Sequence, residues 1–169
     1  MRAGIFRMLV LPLALIGCAS APPSEPPISP EPDDALADRA AAHAVKMVGT
    51  AYRYGGAAPS VGFDCSGLVH YSFRQAGVPL PRNTEEQRLS SRPVALADLR
   101  PGDLVFFDHE GEKNSHVGIY TGAGMFVHAP STGKQVRRDR LDSPYWRKHI
   151  SETRRPGASI IPLSIPSRE

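Results

Sequence analysis

The chain has 169 residues, two cysteines and a formal net charge of +3, from 20 Lys+Arg against 17 Asp+Glu. Arg2 and Arg7 lie in an N-terminal stretch without acids, so the rest of the chain is close to neutral. That balance gives little support for nucleic-acid binding, no Cys/His cluster has metal-site spacing, and neither a metal nor another cofactor is expected.

The first element is a targeting segment. Arg2 and Arg7 form a basic n-region before the apolar stretch Met8 to Ile16, which is too short to span a bilayer. It ends in Leu15-Ile16-Gly17-Cys18, which resembles the bacterial lipobox, where the cysteine is lipidated and becomes the new N-terminus. Residues 1–17 are therefore expected to be a lipoprotein signal peptide, with acylated Cys18 holding the chain to a lipid bilayer. Ala19 follows Cys18 in place of Asp; by resemblance to enterobacterial sorting, this implies the outer membrane, with the domain facing the periplasm. The rest of 18–34 is a proline-rich tether. Proline favours extended polyproline II, and at about 3.1 Å per residue such a tether reaches roughly 50 Å.

The domain is expected over residues 35–155. Asp33 or Asp34 caps a predicted helix from Ala35 to Val48, with Leu36, Ala40, Ala44, Val45 and Val48 on its apolar side and Gly49 at its end. Residues 50–63 form a Gly-rich loop containing Tyr52-Arg53-Tyr54-Gly55-Gly56. A second helix is predicted from Cys65 to Ala76, closed by Gly77 and Pro79, and a short third, capped by Asn83 or Thr84, through Leu89. The second half reads as strands: Leu104 to Phe107, His116 to Tyr120 after a polar loop, Met125 to Ala129 after a tight hairpin, and Gln135 to Arg138. Tyr145-Trp146 and Lys148 to Thr153 suggest a final strand. The tail, residues 156–169, shows no periodicity. Helices first and an antiparallel sheet after make an α+β domain, with N-terminal helices packed on a central sheet.

Cys65 is the candidate nucleophile, since a single thiol with separated histidines is a pattern of thiol hydrolases. A helix N-terminus favours a thiolate, as would an imidazolium on the facing sheet. Asp64 works against this and is expected to turn away, capping the helix or binding a cation on the substrate. In the strand His116-Val117-Gly118-Ile119-Tyr120, alternation places His116, Gly118 and Tyr120 on one face. Gly118 leaves room there for a helix or substrate, which favours His116 as general base. His128, on the next strand, is expected within reach of His116 Nδ1, orienting the imidazole as the third member of a triad does. The remaining histidines read as structural or surface residues, Trp146 as core, and Lys134, Arg137, Arg138 and Arg140 as a solvated strand face.

Five segments occur in the order seen in NlpC-type cell-wall peptidases: 52–56, Phe63-Asp64-Cys65-Ser66-Gly67, Arg100 to Phe107, 116–120 and Phe126-Val127-His128-Ala129. The chain resembles that family of papain-like cysteine peptidases over roughly residues 40–154. The resemblance implies Cys65 as nucleophile, His116 as base, His128 as orienting group, Tyr52 at the oxyanion site, and Asp64 and Ser66 at positions that hold the substrate's free amine in some members. It implies action on peptidoglycan peptide stems or cross-links through a Cys65 thioester. The alternatives are an amidase or acyltransferase with the same dyad, or a catalytically silent peptidoglycan-binding scaffold lipoprotein.

Overall fold

In the computed structural model, which describes residues 32–109 and 111–157, helix α1 (Pro32–Lys46) opens the domain. It starts earlier than expected because proline fits the first helical turn, where its missing N–H is no loss. Asp33 and Asp34 therefore lie inside the first turn instead of capping it. Ala40, Ala41 and Ala44 are buried, and their small side chains let α1 lie close to the next helix. Val45 and Val48, expected on the apolar side, are 37% and 45% exposed; the helix ends at Lys46, before its period carries Val48 inward. The signal segment, Cys18, most of the tether and the tail from residue 158 lie outside the described residues.

The Gly-rich loop contains a small hairpin that the sequence did not suggest, β1 (Ala57–Ala58) against β2 (Gly62–Phe63). It leads into α2 (Cys65–Ala76), whose bounds agree with the expectation because both caps are written in the sequence. Asp64 accepts from Gly67 N–H at 2.7 Å, an N-cap whose loss typically costs about 1 kcal/mol. Gly77 turns left-handed at φ 91°, and Val78 N–H returns to the Phe73 carbonyl at 2.9 Å. A Cβ at Gly67 would run into the Gly56 carbonyl oxygen, so the loop can lie on the first turn of α2 only because residue 67 has no side chain. Helix α3 (Thr84–Leu89) is capped by Asn83.

The remaining strands are β3 (Ser91–Pro93), β4 (Leu104–His109), β5 (Glu112–Gly122), β6 (Met125–His128), β7 (Arg137–Arg140) and β8 (Ile150–Pro156). They form one antiparallel sheet in the order β3-β8-β4-β5-β6-β7. The loop expected at 108–115 is mostly the tip of the β4–β5 hairpin, since backbone pairing does not require apolar side chains. Gln135 makes only an isolated bridge to Ala51, and the strand expected at 135–138 runs from 137 to 140. Tyr145 and Trp146 do not join the last strand. They lie on helix α4 (Pro144–His149), started by proline at its first turn, with the Tyr145 ring stacked on His149 at 4.4 Å.

Alternation divides the sheet into two apolar faces. Leu104, Phe106, Val117, Ile119 and Val127 pack with α1 and α2. On the other face, Val105, Phe107 and Phe126 pack with Leu141 and Trp146. His116 pairs with Phe107 across the ladder and shares this second face, as expected. The space at Gly118 serves a different purpose: a Cβ there would come within 2.6 Å of the Phe126 ring. A core phenylalanine takes that space, not a helix or substrate.

One buried ion pair ties the sheet to the turn before β4. Arg155 Nε and Nη2 grip Asp103 Oδ1 and Oδ2, both at 2.7 Å, with Asp103 almost fully buried. Removing one partner strands the other charge. Asp103→Ala is expected to lower unfolding free energy by about 3 kcal/mol, measured by urea denaturation; a loss under about 1 kcal/mol would mean water reaches Arg155 freely.

Candidate active site

Cys65 is the first residue of α2, placed by the Asp64 cap on one side and the Gly67–Gly56 contact on the other. It sits where two lobes of a surface cleft meet. One lobe, about 390 Å³, is lined by Tyr52, Tyr54, Cys65, Glu112 and His116 among others. The second, about 370 Å³, runs past Tyr52, Cys65, Ser66, Arg82 and Thr84. Tyr52 lines both lobes beside Cys65, and Tyr54 stands at their rim, 87% exposed.

The environment of the thiol differs from the expectation. Burial pushes the Cys65 thiol up from its ordinary value, and the neighbouring Asp64 carboxylate pushes the same way. Backbone hydrogen bonds from Val117 and Ser66, and the Thr84 hydroxyl, pull against this without reversing it. Desolvation is a larger effect on the thiol than the helix N-terminus. In this arrangement Cys65 depends on a base to take its proton.

His116 and His128 are both buried and hydrogen-bonded, His116 Nε2 to His128 Nδ1 at 2.8 Å, with their rings perpendicular at 85°. The contact uses Nε2 of His116, not Nδ1 as expected. His128 Nε2 meets Asp139 Oδ2 at 3.1 Å. The same oxygen accepts from Trp146 Nε1 at 2.8 Å and from Arg137 Nε and Nη2 at 3.0 and 2.8 Å. The His128 hydrogen bond, with Trp146 and Arg137 behind it, holds the Asp139 carboxyl well below the usual carboxylate range despite partial burial. Trp146 also stacks on His116 at 5.8 Å and 19°. Reading Trp146 as core and Arg137 as part of a solvated face was therefore incomplete.

Asp64 and Ser66 belong to a brace. Asp64 accepts from Gly67 N–H and Ser66 Oγ on one oxygen, and from Gly55 N–H and Arg82 Nη2 on the other. Arg82 also donates to Ser66 Oγ at 2.9 Å and to the Gly56 carbonyl at 3.2 Å. Four protein donors thus engage a carboxylate with about four acceptor positions, so a substrate ammonium at Asp64 would have to share them. Buried Gln87 completes the support, donating from Nε2 to the Ser66 and Pro81 carbonyls.

The sequence reading missed Asp139, Arg82 and Thr84. Asp139 carries a usable signal in retrospect. It sits among three basic residues on β7, two positions from Arg137, so alternation puts Asp139 and Arg137 on one face, which pairing of Arg137 with His128 makes the face of His128. Arg82 lies in the connection after α2 and Thr84 opens α3, and nothing local points them at Cys65.

Residues 49–155 match the profile of the NlpC/P60 family. Among curated relatives, the gamma-DL-glutamyl hydrolase of Bacillus subtilis (strain 168) is 42% identical over 125 residues, 73% of this chain and 30% of that protein. The murein DD-endopeptidase MepH of Escherichia coli (strain K12) is 37% identical over 115 residues, 66% of this chain and 42% of that protein. The chain thus spans well under half the length of these relatives. Among solved structures, a protein described as similar to lipoprotein, NLP/P60 family, from Staphylococcus aureus subsp. aureus Mu50 superposes with a TM-score of 0.63 at 33% identity, covering 73% of this chain and 42% of that one.

Proposed function

The chain belongs to the NlpC/P60 family, and from that premise we propose that it is a cysteine peptidase that hydrolyses the peptide stems or cross-links of bacterial peptidoglycan. The observation that carries the reading is the line His116–His128–Asp139 beside a thiol in one cleft. His116 takes the Cys65 proton as Sγ attacks the scissile carbonyl carbon. The tetrahedral oxyanion is met by the N–H groups opening α2 and by the Tyr52 hydroxyl. Collapse breaks the C–N bond, and the leaving amine takes its proton from the His116 imidazolium. The Cys65 thioester is then attacked by water, whose proton passes to His116 and back to the thiol, releasing the carboxylic acid. His128 keeps the base oriented throughout. The name of one curated relative, a murein DD-endopeptidase, supports peptidoglycan peptides as the substrate class.

The test is digestion of purified muropeptides, with products identified by mass. Hydrolysis adds one water and yields two fragments, and their masses name the bond. An intact substrate bound without turnover would instead make the protein a silent scaffold.

The same proposal places the domain on a membrane. Cys18 is the acylated residue, the proline-rich tether holds the domain off the lipid, and the outer membrane is its location. The Leu15-to-Cys18 string supports the lipid anchor, as does the description of the S. aureus structure as similar to lipoprotein, and Ala19 after Cys18 supports the outer membrane. Cys18→Ser is expected to remain an unprocessed precursor, or to leave the membrane fraction, with no loss of activity on soluble muropeptides. A processed, acylated Cys18→Ser protein would refute the anchor.

A further inference from the structure

We propose that Asp139 is a positioning residue for the His116–His128 pair: its carboxylate decides which nitrogen of each ring carries the proton, and so leaves His116 a base at Nδ1. The inference rests on the hydrolase reading above and extends it one residue outward. A carboxylate only accepts hydrogen bonds. Asp139 is held ionised by its hydrogen bond with His128 and, behind it, by the Trp146 indole and the Arg137 guanidinium at 2.8 to 3.0 Å. Facing that acceptor at 3.1 Å, His128 Nε2 must carry a hydrogen. Neutral His128 then has a bare Nδ1, which accepts across the 2.8 Å contact from His116 Nε2. Neutral His116, with its hydrogen on Nε2, has its lone pair on Nδ1, the atom that can receive a thiol proton.

Without Asp139 the chain has two settings. If His128 carried its hydrogen on Nδ1, it would donate to His116 Nε2, move the His116 hydrogen to Nδ1, and leave the base unable to accept. The carboxylate selects the productive setting. When His116 then takes the Cys65 proton, both its nitrogens bear hydrogen, Nε2–H still points at His128 Nδ1, and the negative charge of Asp139 stabilises the new cation through the intervening ring. No proton moves to Asp139. Because His128 is fully buried, water has poor access to replace the carboxylate, and the low local dielectric enlarges the effect. Trp146 binds Asp139 and also stacks on His116, so one side chain fixes both ends of the relay.

Two measurements test this. Nitrogen-15 NMR of the histidine side chains in the wild-type protein near neutral pH reads the tautomers with no substrate and no variant. Hydrogen on Nε2 of both His128 and His116 is the expected result; hydrogen on His128 Nδ1 with a bare Nε2 overturns the proposal. The second is kinetic. Asp139→Asn keeps shape and the Trp146 acceptor, and is expected to lower kcat about 10- to 100-fold with KM changed less than about twofold. In a His128→Ala background the same substitution is expected to cost less than about twofold, because its route to His116 is gone. Near-wild-type kcat in folded Asp139→Asn, or a full multiplicative loss in the double variant, would show that Asp139 acts on stability alone. If the wild type cleaves no muropeptide, the hydrolase reading falls and the ring-proton measurement alone decides the role of Asp139.

Discussion

Cys65→Ala is expected to abolish muropeptide cleavage, a loss of about 10⁶-fold if the site behaves as a coupled nucleophile–base unit, while the melting temperature stays within a few degrees of wild type. The substitution removes one sulfur and leaves the Asp64 cap, the Gly67–Gly56 contact and both apolar faces in place. The pH behaviour adds a second readout. Because burial raises the thiol's pKa in the folded chain, alkylation by iodoacetamide at neutral pH should be slower than that of free cysteine, and should accelerate as pH rises past the free-cysteine value of about 8.5. The sign for stability follows: the folded state prefers the neutral thiol, so its contribution is full below the unfolded pKa and is lost as pH rises toward the folded one. Cys65→Ala should therefore lose less stability than wild type as pH rises above the free-cysteine value of about 8.5. Fast alkylation of wild type at neutral pH would show a resting ion pair with His116 instead. Normal cleavage by Cys65→Ala would remove the cysteine-peptidase reading altogether.

His128→Ala is the second large effect. It leaves His116 Nε2 without its acceptor and opens a cavity in a fully buried position. A fall in kcat of about 10²- to 10³-fold is expected, with a smaller change in KM, because the lost interaction matters most as the imidazolium forms. His128→Asn should recover part of the loss. Its side-chain oxygen can sit near the place of Nδ1 and accept from His116, although the shorter amide does not span to Asp139. Steady-state kinetics on one muropeptide, run below the melting temperature of each variant, separate these cases. Equal kcat in the Ala and Asn variants would mean that His128 acts by filling space.

Where local chemistry determines an element, the sequence was a sufficient guide. The bounds of α2 follow from Asp64 and Gly77, and the face of β5 that carries His116 follows from simple alternation. The misreadings have physical causes. Tyr145 and Trp146 are strong strand formers, but Pro144 starts a helix and burial against His116 and Phe107 rewards it. The polar residues 112–115 extend β5 because backbone pairing in a hairpin is indifferent to side-chain polarity. Asp139 was lost inside a charge run: alternation puts Arg137 and Asp139 on one face, but only pairing with β6 makes that the face of His128. The thiol pKa was misjudged because a helix terminus is visible in sequence, whereas burial by packing from distant elements is not.

The two apolar faces of the sheet have a consequence for when the molecule becomes dangerous. The thiol is held by the layer with α1 and α2; the base and its carboxylate are held by the layer with α4. Neither layer alone contains a working pair. A chain cut after residue 136 would keep Cys65, His116 and His128, yet lack both Asp139 and Trp146. In such a copy the proposed base would lack its positioning carboxylate and the indole behind it, so full activity would wait until the last strands and α4 have docked. The two-layered packing of the sheet is itself the safety catch.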